Sequence, residues 1–266
     1  MRATNMLLSI HAMNPIQLVR SLIFLCAVPV VTASVCILVL IDFRITEKTG
    51  HKGQIYPRLW ARILTRIAGV RIRVEGMDQI DPDATYVFAG NHSSQFDIYA
   101  FQAAFPHDFR WIAKKELFQI PLFGPAMRKV GFISIDRSHG RKALKSLNLA
   151  AQRIADGASV LIFPEGTRSR DGRLHPFKAG AILLAIRSGV PVVPIGFNGA
   201  DRVLPKGALL PRGGEIVLRV GRPIPTNEYS TRDKQKLAAI LHDRVAELLD
   251  RQHLPEEQIK QARPER

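Results

Sequence analysis

The 266-residue sequence contains few of the groups that metal and disulfide sites need. It has only two cysteines, Cys26 and Cys36, and both lie inside one apolar run. A secreted disulfide framework and a cysteine-based zinc site are therefore excluded. No spacing of cysteine, histidine and carboxylate resembles a metal site, so we expect no bound metal.

The glycine-rich motifs of nucleotide-binding enzymes are also absent. None of the nineteen glycines is followed two residues later by another glycine, so G-x-G-x-x-G cannot occur. A G-x-x-x-x-G-K-[ST] phosphate loop and a G-x-S-x-G nucleophile elbow do not occur either. The sequence therefore does not support a nucleotide-driven enzyme or a serine hydrolase.

Acidic residues are scarce relative to basic ones. Lysine and arginine number 38 against 23 aspartate and glutamate residues, which gives a net charge of +15. Such a chain attracts anions: nucleic acid, acidic lipid headgroups, or phosphorylated substrates and carriers. The hydrophobic content of 46% is that of an ordinary globular protein. The net charge alone does not decide among these partners.

One long apolar run lies near the N-terminus. Residues 21–41 carry no charge, and a helix of this length covers the roughly 30 Å hydrocarbon layer of a bilayer. We expect a membrane helix, although Pro29 in its middle could instead divide it into a re-entrant hairpin. Residues 1–20 hold two basic residues and residues 42–62 hold five. This asymmetry predicts a membrane protein whose C-terminal part lies in the cytoplasm.

A basic amphipathic segment follows the apolar run, within a predicted linker at 42–69. From Pro57 to Gly69, Arg58, Arg62 and Arg66 share one helical side, and the opposite side is apolar. The pattern predicts a helix that lies at the membrane interface. The alternative is a helix that packs its apolar side on the domain and leaves its arginines solvated.

Short β-branched runs alternate with helical patterns from residue 70 onward. Strands are predicted at 70–74, 85–89, 109–112, 132–135, 159–163, 190–196 and 215–220, and helices at 94–105, 122–130, 141–156, 179–188 and 232–251. Alternation of this kind predicts an α/β fold: a largely parallel sheet flanked by helices. We expect this domain at 70–253, behind an N-terminal membrane-associated helical segment with its flank at 1–20, and a polar tail at 254–266.

The first chemical motif is N-H-S-S-Q-F-D at 91–97, directly after a predicted strand. If His92 lies on the loop and Asp97 in the first helical turn, the two side chains meet, and the carboxylate orients a histidine base. The alternative is structural: Ser94 and Asp97 have nearly the spacing of a capping box, which would leave His92 an ordinary loop residue.

The second motif is F-P-E-G-T-R-S-R at 163–170, again at the end of a predicted strand. Gly166 allows the backbone to approach a ligand, Thr167 offers a hydroxyl, and Arg168 can bind a phosphate through two hydrogen bonds. The alternative is a solvated turn, because the Asp171-Gly172 pair that follows is common in turns.

Two weaker stretches complete the set. Lys114 and Arg137 follow predicted strands and could contact phosphate, although a strand-end arginine next to an aspartate is usually a surface ion pair. The V-P-V-V-P stretch at 190–194 predicts an edge strand, which could close an apolar pocket.

Together, these motifs in this order on a basic, membrane-anchored chain resemble the glycerolipid acyltransferases, and within them the 1-acyl-sn-glycerol-3-phosphate acyltransferases. The resemblance covers roughly residues 85–200. One departure is Ser93, where many lysophosphatidate enzymes carry glutamine. The resemblance implies that His92 is the base and that Asp97 orients it. It implies a phosphate site made of Lys114, Arg137, Glu165, Gly166, Thr167 and Arg168. It also implies a stretch that binds the acyl donor or shapes the pocket, made of Val190, Pro191 and Pro194.

The activity that the resemblance implies is acyl transfer to the sn-2 hydroxyl of lysophosphatidate, which gives phosphatidic acid. Acyl-CoA or acyl carrier protein would be the co-substrate, no cofactor would be needed, and anionic membrane lipids would be further partners. None of these partners requires nucleic acid.

Two other functions remain open from the sequence. The first is acylation of glycerol 3-phosphate or of another lysolipid, such as a lyso-ornithine lipid. The second is a membrane-tethered protein that binds anionic lipid or nucleic acid without catalysis. This binder would explain the charge and the anchor, but it leaves the pairing of His92 with Asp97 without a purpose.

Overall fold

A computed structural model describes residues 13–45, 54–136, 140–256 and 259. All seven predicted strands are present, and their ends differ from the prediction by at most two residues. They are β1 (Val70–Glu75), β2 (Val87–Gly90), β3 (Arg110–Lys114), β4 (Ile133–Ile135), β5 (Val160–Ile162), β6 (Val192–Asn198) and β7 (Gly214–Val220).

The described helices include the five predicted after residue 90 and one short helix that was not predicted, α7. The α-helices are α1 (Pro15–Ile45), α2 (Ile55–Ile67), α3 (Phe96–Ala104), α4 (Phe123–Lys129), α5 (Arg141–Ala155), α6 (Ala179–Ser188), α7 (Ala200–Val203) and α8 (Lys234–Ala246).

The strands form one sheet in the order β1-β7-β6-β2-β5-β3-β4. From β6 to β4 all neighbours are parallel. Strand β7 is antiparallel to β6, and β1 is parallel to β7. The prediction of a largely parallel sheet flanked by helices is therefore confirmed.

The two faces of the sheet carry different helices. Phe88, Leu161 and Val193 point into a core that includes side chains of α1, α2 and α3. Their neighbours along the strands point into a second core with α5, α6 and α8. Because successive strand residues point to opposite faces, the central strands β2, β5 and β6 are buried on both sides. Helices α1 and α5 consequently lie on opposite faces of the sheet.

The prediction that the proline-containing stretch forms an edge strand is wrong. Strand β6 lies in the middle of the sheet, between β7 and β2. The carbonyl of Pro194 points toward β7 and accepts a hydrogen bond from the Gly221 amide at 2.9 Å. Gly221 directly follows the end of β7. The backbone N–H that Pro194 lacks would therefore lie where the pairing of β6 with β7 ends, so no hydrogen bond inside the ladder is lost.

Helix α1 is longer than the predicted segment 21–41 and is continuous through Pro29, so the re-entrant hairpin does not form. By length and composition, this helix is long and apolar enough to cross a membrane. One side of it packs along the domain. The ring centroids of Phe24 and Phe96 lie 5.5 Å apart. The Trp60 indole donates a hydrogen bond to the Thr32 hydroxyl at 2.9 Å.

Helix α2 is also tied to the domain. Arg58 donates hydrogen bonds to the carbonyls of Pro106 and His107, and Arg62 donates one to Ala103. These carbonyls lie at or just beyond the C-terminal end of α3, where positive charge is favourable. Two arginines of the predicted interfacial side therefore hydrogen-bond to the domain. The alternative interpretation is right that the apolar side of this helix packs on the domain, but Arg58 and Arg62 are not merely solvated. A position at the membrane interface stays a prediction.

Gly90 allows β2 and β6 to pack closely beside the first motif. A Cβ atom at this position would lie 2.6 Å from the Ile195 carbonyl oxygen and 2.7 Å from the Phe197 ring. We expect Gly90→Ala to lower the free energy of unfolding by about 1–3 kcal/mol, because the backbone atom cannot move away cheaply. Chemical unfolding of the purified protein in detergent measures this change.

Gly180→Ala is the matched control, because nothing lies within 4 Å of a Cβ at that helical position. It should leave the free energy of unfolding unchanged or raise it by up to about 1 kcal/mol. Equal effects of the two substitutions would contradict the packing described for Gly90.

Candidate active site

The two sequence motifs meet in a crevice at the carboxyl ends of the parallel strands. Strands β2 and β5 are parallel neighbours, and each motif follows the carboxyl end of one of them. The chain leaves β2 through α3 on one face of the sheet and leaves β5 through α6 on the other face. Adjacent strands whose connections diverge in this way form the crevice where α/β proteins bind ligands.

His92 and Asp97 form the pair that the spacing predicted. The Nδ1 atom of His92 lies 2.8 Å from Oδ2 of Asp97. The Asp97 side chain is fully buried, whereas that of His92 is 13% exposed. The same Oδ2 accepts hydrogen bonds from the backbone amides of Ser93 and Ser94, both at 2.8 Å. One carboxylate oxygen thus accepts three hydrogen bonds.

This arrangement determines which ring nitrogen is free. Because Oδ2 of Asp97 is an acceptor, Nδ1 of His92 is the nitrogen that carries the hydrogen. Nε2, on the other side of the ring, keeps its lone pair and can accept a proton. The pair therefore has the geometry of an oriented general base.

The structural alternative for Asp97 is realised at the same time. Asp97 lies in the first turn of α3, and the Ser94 hydroxyl accepts a hydrogen bond from the Phe96 amide at 3.0 Å. The backbone bonds to Asp97 satisfy amides at the start of this helix, where negative charge is favourable. Capping and orientation of His92 are two functions of one side chain.

The second motif holds His92 through contacts that the sequence did not reveal. The Phe163 ring stacks on the imidazole with centroids 3.9 Å apart. The backbone amide of His92 donates a hydrogen bond to Oε1 of Glu165 at 2.8 Å, and its carbonyl accepts one from the Ser169 amide at 2.7 Å. The loop after β5 therefore fixes the position of the histidine from three sides.

Glu165 is a buried acid beside this histidine, with 4% of its surface exposed. Its burial raises its pKa to about 8, and the nearby charge of Asp97 acts in the same direction. Backbone hydrogen bonds from His92 and His175 oppose the rise. Glu165 is therefore mainly protonated at neutral pH, whereas a glutamate in water is negatively charged.

The rest of the second motif forms an exposed basic loop. Gly166 has a φ of +75°, a conformation that favours glycine, and a Cβ there would lie 2.9 Å from Nζ of Lys178. Gly166 and Thr167 are exposed, and Arg168 is half-buried. Lys206, which no sequence motif indicated, donates hydrogen bonds to the carbonyl of Arg168 and, at 3.3 Å, to the Thr167 hydroxyl. Two lysines from other parts of the chain thus join this loop.

The remaining predicted phosphate ligands are not brought to this loop by any described contact. Lys114 is exposed at the end of β3, at the same edge of the sheet as His92 and two strands from β2. Arg137 lies outside the residues that the structure describes. A role in phosphate binding stays a prediction for both.

The proline-containing stretch runs from just before β6 to Pro194, the third residue of that strand, which pairs with Ala89 of β2. Val190 and Pro191 precede β6, which runs parallel to β2, so they lie at the amino end of the strands whereas His92 follows the carboxyl end. Pro194 contributes to a separate cleft of about 650 Å³ with Val220 and Leu248. The role in acyl-donor binding or pocket shaping stays a prediction. Within the described residues, no group of three histidine, cysteine or carboxylate side chains could hold a metal.

Comparisons with known proteins show the family of the chain. The family model described as Acyltransferase matches residues 71–198. A 1-acyl-sn-glycerol-3-phosphate acyltransferase of Limnanthes douglasii is 32% identical over 192 residues, which cover 72% of this chain and 68% of that protein. The chloroplastic 1-acyl-sn-glycerol-3-phosphate acyltransferase BAT2 of Brassica napus is 34% identical over 188 residues, which cover 70% of this chain. The matched region spans about half, 53%, of the length of the Brassica napus relative.

A solved structure shares the fold. The crystal structure of the 1-acyl-sn-glycerophosphate acyltransferase PlsC from Thermotoga maritima matches with a TM-score of 0.72 and 22% identity, covering 94% of this chain and 100% of that one. The fold agrees with the family that the Limnanthes relative indicates. The chain belongs to the family of 1-acyl-sn-glycerol-3-phosphate acyltransferases.

Proposed function

We propose that this protein transfers an acyl group from a thioester to the sn-2 hydroxyl of lysophosphatidate, which gives phosphatidic acid. The observation that carries the proposal is the His92–Asp97 pair, whose 2.8 Å contact leaves Nε2 as the basic nitrogen. The names of the relatives support lysophosphatidate as the acceptor. Acyl-CoA or acyl carrier protein supplies the thioester.

The chemistry needs one base and no covalent enzyme intermediate. Nε2 of His92 removes the hydroxyl proton while the oxygen attacks the thioester carbonyl. The tetrahedral intermediate then expels the thiolate, which receives that proton from the imidazolium, and an ester replaces the thioester. Asp97 stabilises the imidazolium between these two steps.

The basic loop holds the phosphate of the acceptor. Arg168 offers a planar pair of donors, and Lys178 and Lys206 add positive charge beside Gly166 and Thr167. Binding the phosphate here positions the sn-2 hydroxyl near His92 and converts a weak nucleophile into an oriented one.

A protonated Glu165 suits this loop. Its pKa of about 8 leaves it mainly neutral at pH 7, so it does not repel the phosphate that binds beside it. It still accepts the hydrogen bond from the His92 amide. Burial therefore allows an acid to support the base without adding negative charge to an anion site.

Helix α1 supports a position of the site at a membrane. Its outward side exposes large apolar residues, whereas its inward side packs on the domain; the exposed ones include Leu22, Ile23, Val30, Ile37, Leu38 and Ile41. We propose that α1 is immersed in lipid beside the domain, which lies on the cytoplasmic side, where the basic surplus attracts anionic lipids. Lysophosphatidate then reaches the crevice from the membrane.

The proposed reaction is tested by mass-spectrometric detection of phosphatidic acid, with lysophosphatidate and acyl-CoA or acyl carrier protein as substrates. The intact protein should form product, and His92→Ala should lower turnover by about 10²–10⁴-fold because the base is lost. Asp97→Asn should lower it by up to about 10⁴-fold, since the amide no longer fixes the required tautomer.

His242→Gln is the control, because this partly exposed histidine of α8 lies outside the crevice. It should retain the activity of the intact protein. Undiminished activity of His92→Ala would remove the base assignment, and absence of product from the intact protein with both donors would remove the proposed acceptor.

Lys206 provides a second test, directed at the phosphate site. Lys206→Met removes one positive charge and the bonds to Thr167 and Arg168. We expect the KM for lysophosphatidate to rise about tenfold or more while kcat changes less, because charge-assisted hydrogen bonds to the acceptor are lost. Steady-state kinetics with saturating acyl donor measure both constants.

Lys206→Arg should restore much of the affinity, because it keeps the charge. A loss confined to kcat in Lys206→Met, or unchanged constants, would contradict a role of Lys206 at the phosphate site.

The protonation of Glu165 provides a third test. A buried acid with a pKa raised from 4.5 to about 8 keeps its proton in the folded state where the unfolded state has lost it. Stability should therefore fall between about pH 5 and pH 8, by at most about 1.4 kcal/mol per pH unit from this group. Glu165→Gln lacks this contribution, so its stability relative to the intact protein should grow as the pH rises. Unfolding curves across this range measure the difference, and parallel pH profiles would contradict a protonated Glu165.

A further inference from the structure

Helix α5 carries a basic surface that the proposed function does not use. Its fifteen residues include the bases Arg141, Lys142, Lys145 and Arg153 and no acidic residue. All four bases are exposed. Within the described part of the chain, none of them takes part in an ion pair.

The four bases share one side of α5 with an exposed leucine. At 100° per residue they lie within an arc of about 120°, and Leu149 lies inside this arc. The Leu149 side chain is 60% exposed. On the opposite side of the helix, Ala150 and Ile154 are buried against the sheet. We call Arg141, Lys142, Lys145, Leu149 and Arg153 the α5 basic face.

The position of α5 in the fold favours a soluble partner over a membrane. Helix α5 packs on the sheet face that also carries α6 and α8, whereas the apolar α1 packs on the opposite face. A membrane that receives the outward side of α1 therefore does not reach the α5 basic face. An exposed cluster of positive charge with a central leucine suits an acidic protein surface.

The first turn of α5 is also close to the edge of the sheet where the reaction takes place. The helix connects the carboxyl end of β4 to the amino end of β5. Arg141 and Lys142, in its first turn, therefore lie at the level of the carboxyl ends of β2 and β5. His92 and Glu165 follow those strand ends. A protein bound at the start of α5 would therefore lie at the same ends of the strands as the base, His92.

We propose that the α5 basic face docks an acidic acyl carrier protein, which delivers the acyl thioester to His92. The proposal rests on the proposed function and goes beyond it by naming the surface that receives the donor. The thioester of such a carrier is attached to a flexible arm, so the carrier can bind at α5 while the thioester enters the crevice. Acyl-CoA lacks a protein surface and does not need this face.

The test compares the two donors in one charge-reversal variant. Lys142→Glu combined with Lys145→Glu should lower kcat/KM for acyl carrier protein by about tenfold or more, because steering and complementarity are lost. The same variant should keep kcat/KM for an acyl-CoA of equal chain length within about twofold. In the intact protein, added salt should slow the reaction with acyl carrier protein more than in the variant.

Lys234→Glu combined with Lys236→Glu on α8 is the matched control, since both lysines are exposed and the charge change is the same. This control should react with both donors like the intact protein, and an unchanged circular dichroism spectrum checks the fold of each variant. Lys142→Gln combined with Lys145→Gln should lie between the intact protein and the reversal variant.

Four outcomes overturn the proposal. Equal effects on both donors, or no effect on either, would show that α5 does not receive the carrier. Product from acyl-CoA but none from acyl carrier protein in the intact protein would overturn the docking proposal and leave the proposed function standing. Absence of phosphatidic acid with both donors would remove the proposed function itself.

Discussion

The site depends on one buried oxygen atom, Oδ2 of Asp97. It accepts hydrogen bonds from Nδ1 of His92 and from the amides of Ser93 and Ser94, each at 2.8 Å. Hydrogen bonds to a charged group contribute about 1.5–3 kcal/mol each, so this oxygen holds the loop, the helix start and the imidazole together. Without it, the lone pair of the ring would not be directed at a substrate. The remaining features of the crevice support this arrangement or supply the anion site beside it.

The fold brings the base and the anion site together because β2 and β5 are parallel neighbours with connections on opposite faces of the sheet. Each loop is held by the other, since the amide and the carbonyl of His92 both bond to the loop that follows β5. The acid that receives one of these bonds, Glu165, is mainly neutral at pH 7, which is compatible with a bound phosphate. A proton base and a phosphate site can therefore lie side by side without mutual repulsion.

Local patterns predicted much of the fold, and contacts between distant segments account for most of what they missed. The seven strands, the main helices and the pairing of His92 with Asp97 follow from periodicity and from a spacing of five residues. The bond from the His92 amide to Glu165 joins residues 73 positions apart, and that from Lys206 to the Arg168 carbonyl joins residues 38 apart. No local pattern specifies such pairs. The central position of β6 and the packing of α1 on the domain depend on the order of strands and on packing, which the sequence pattern alone does not determine.

The tautomer of His92 is the most direct test of whether Asp97 orients this histidine as a base. Nitrogen-15 NMR of the protein with labelled histidine, assigned by comparison with His92→Gln, reports which ring nitrogen carries the hydrogen. We expect the hydrogen on Nδ1 and a free lone pair on Nε2 of the neutral ring, and a loss of this preference in Asp97→Asn. A hydrogen on Nε2 in the intact protein, or a tautomer unaffected by Asp97→Asn, would contradict this expectation.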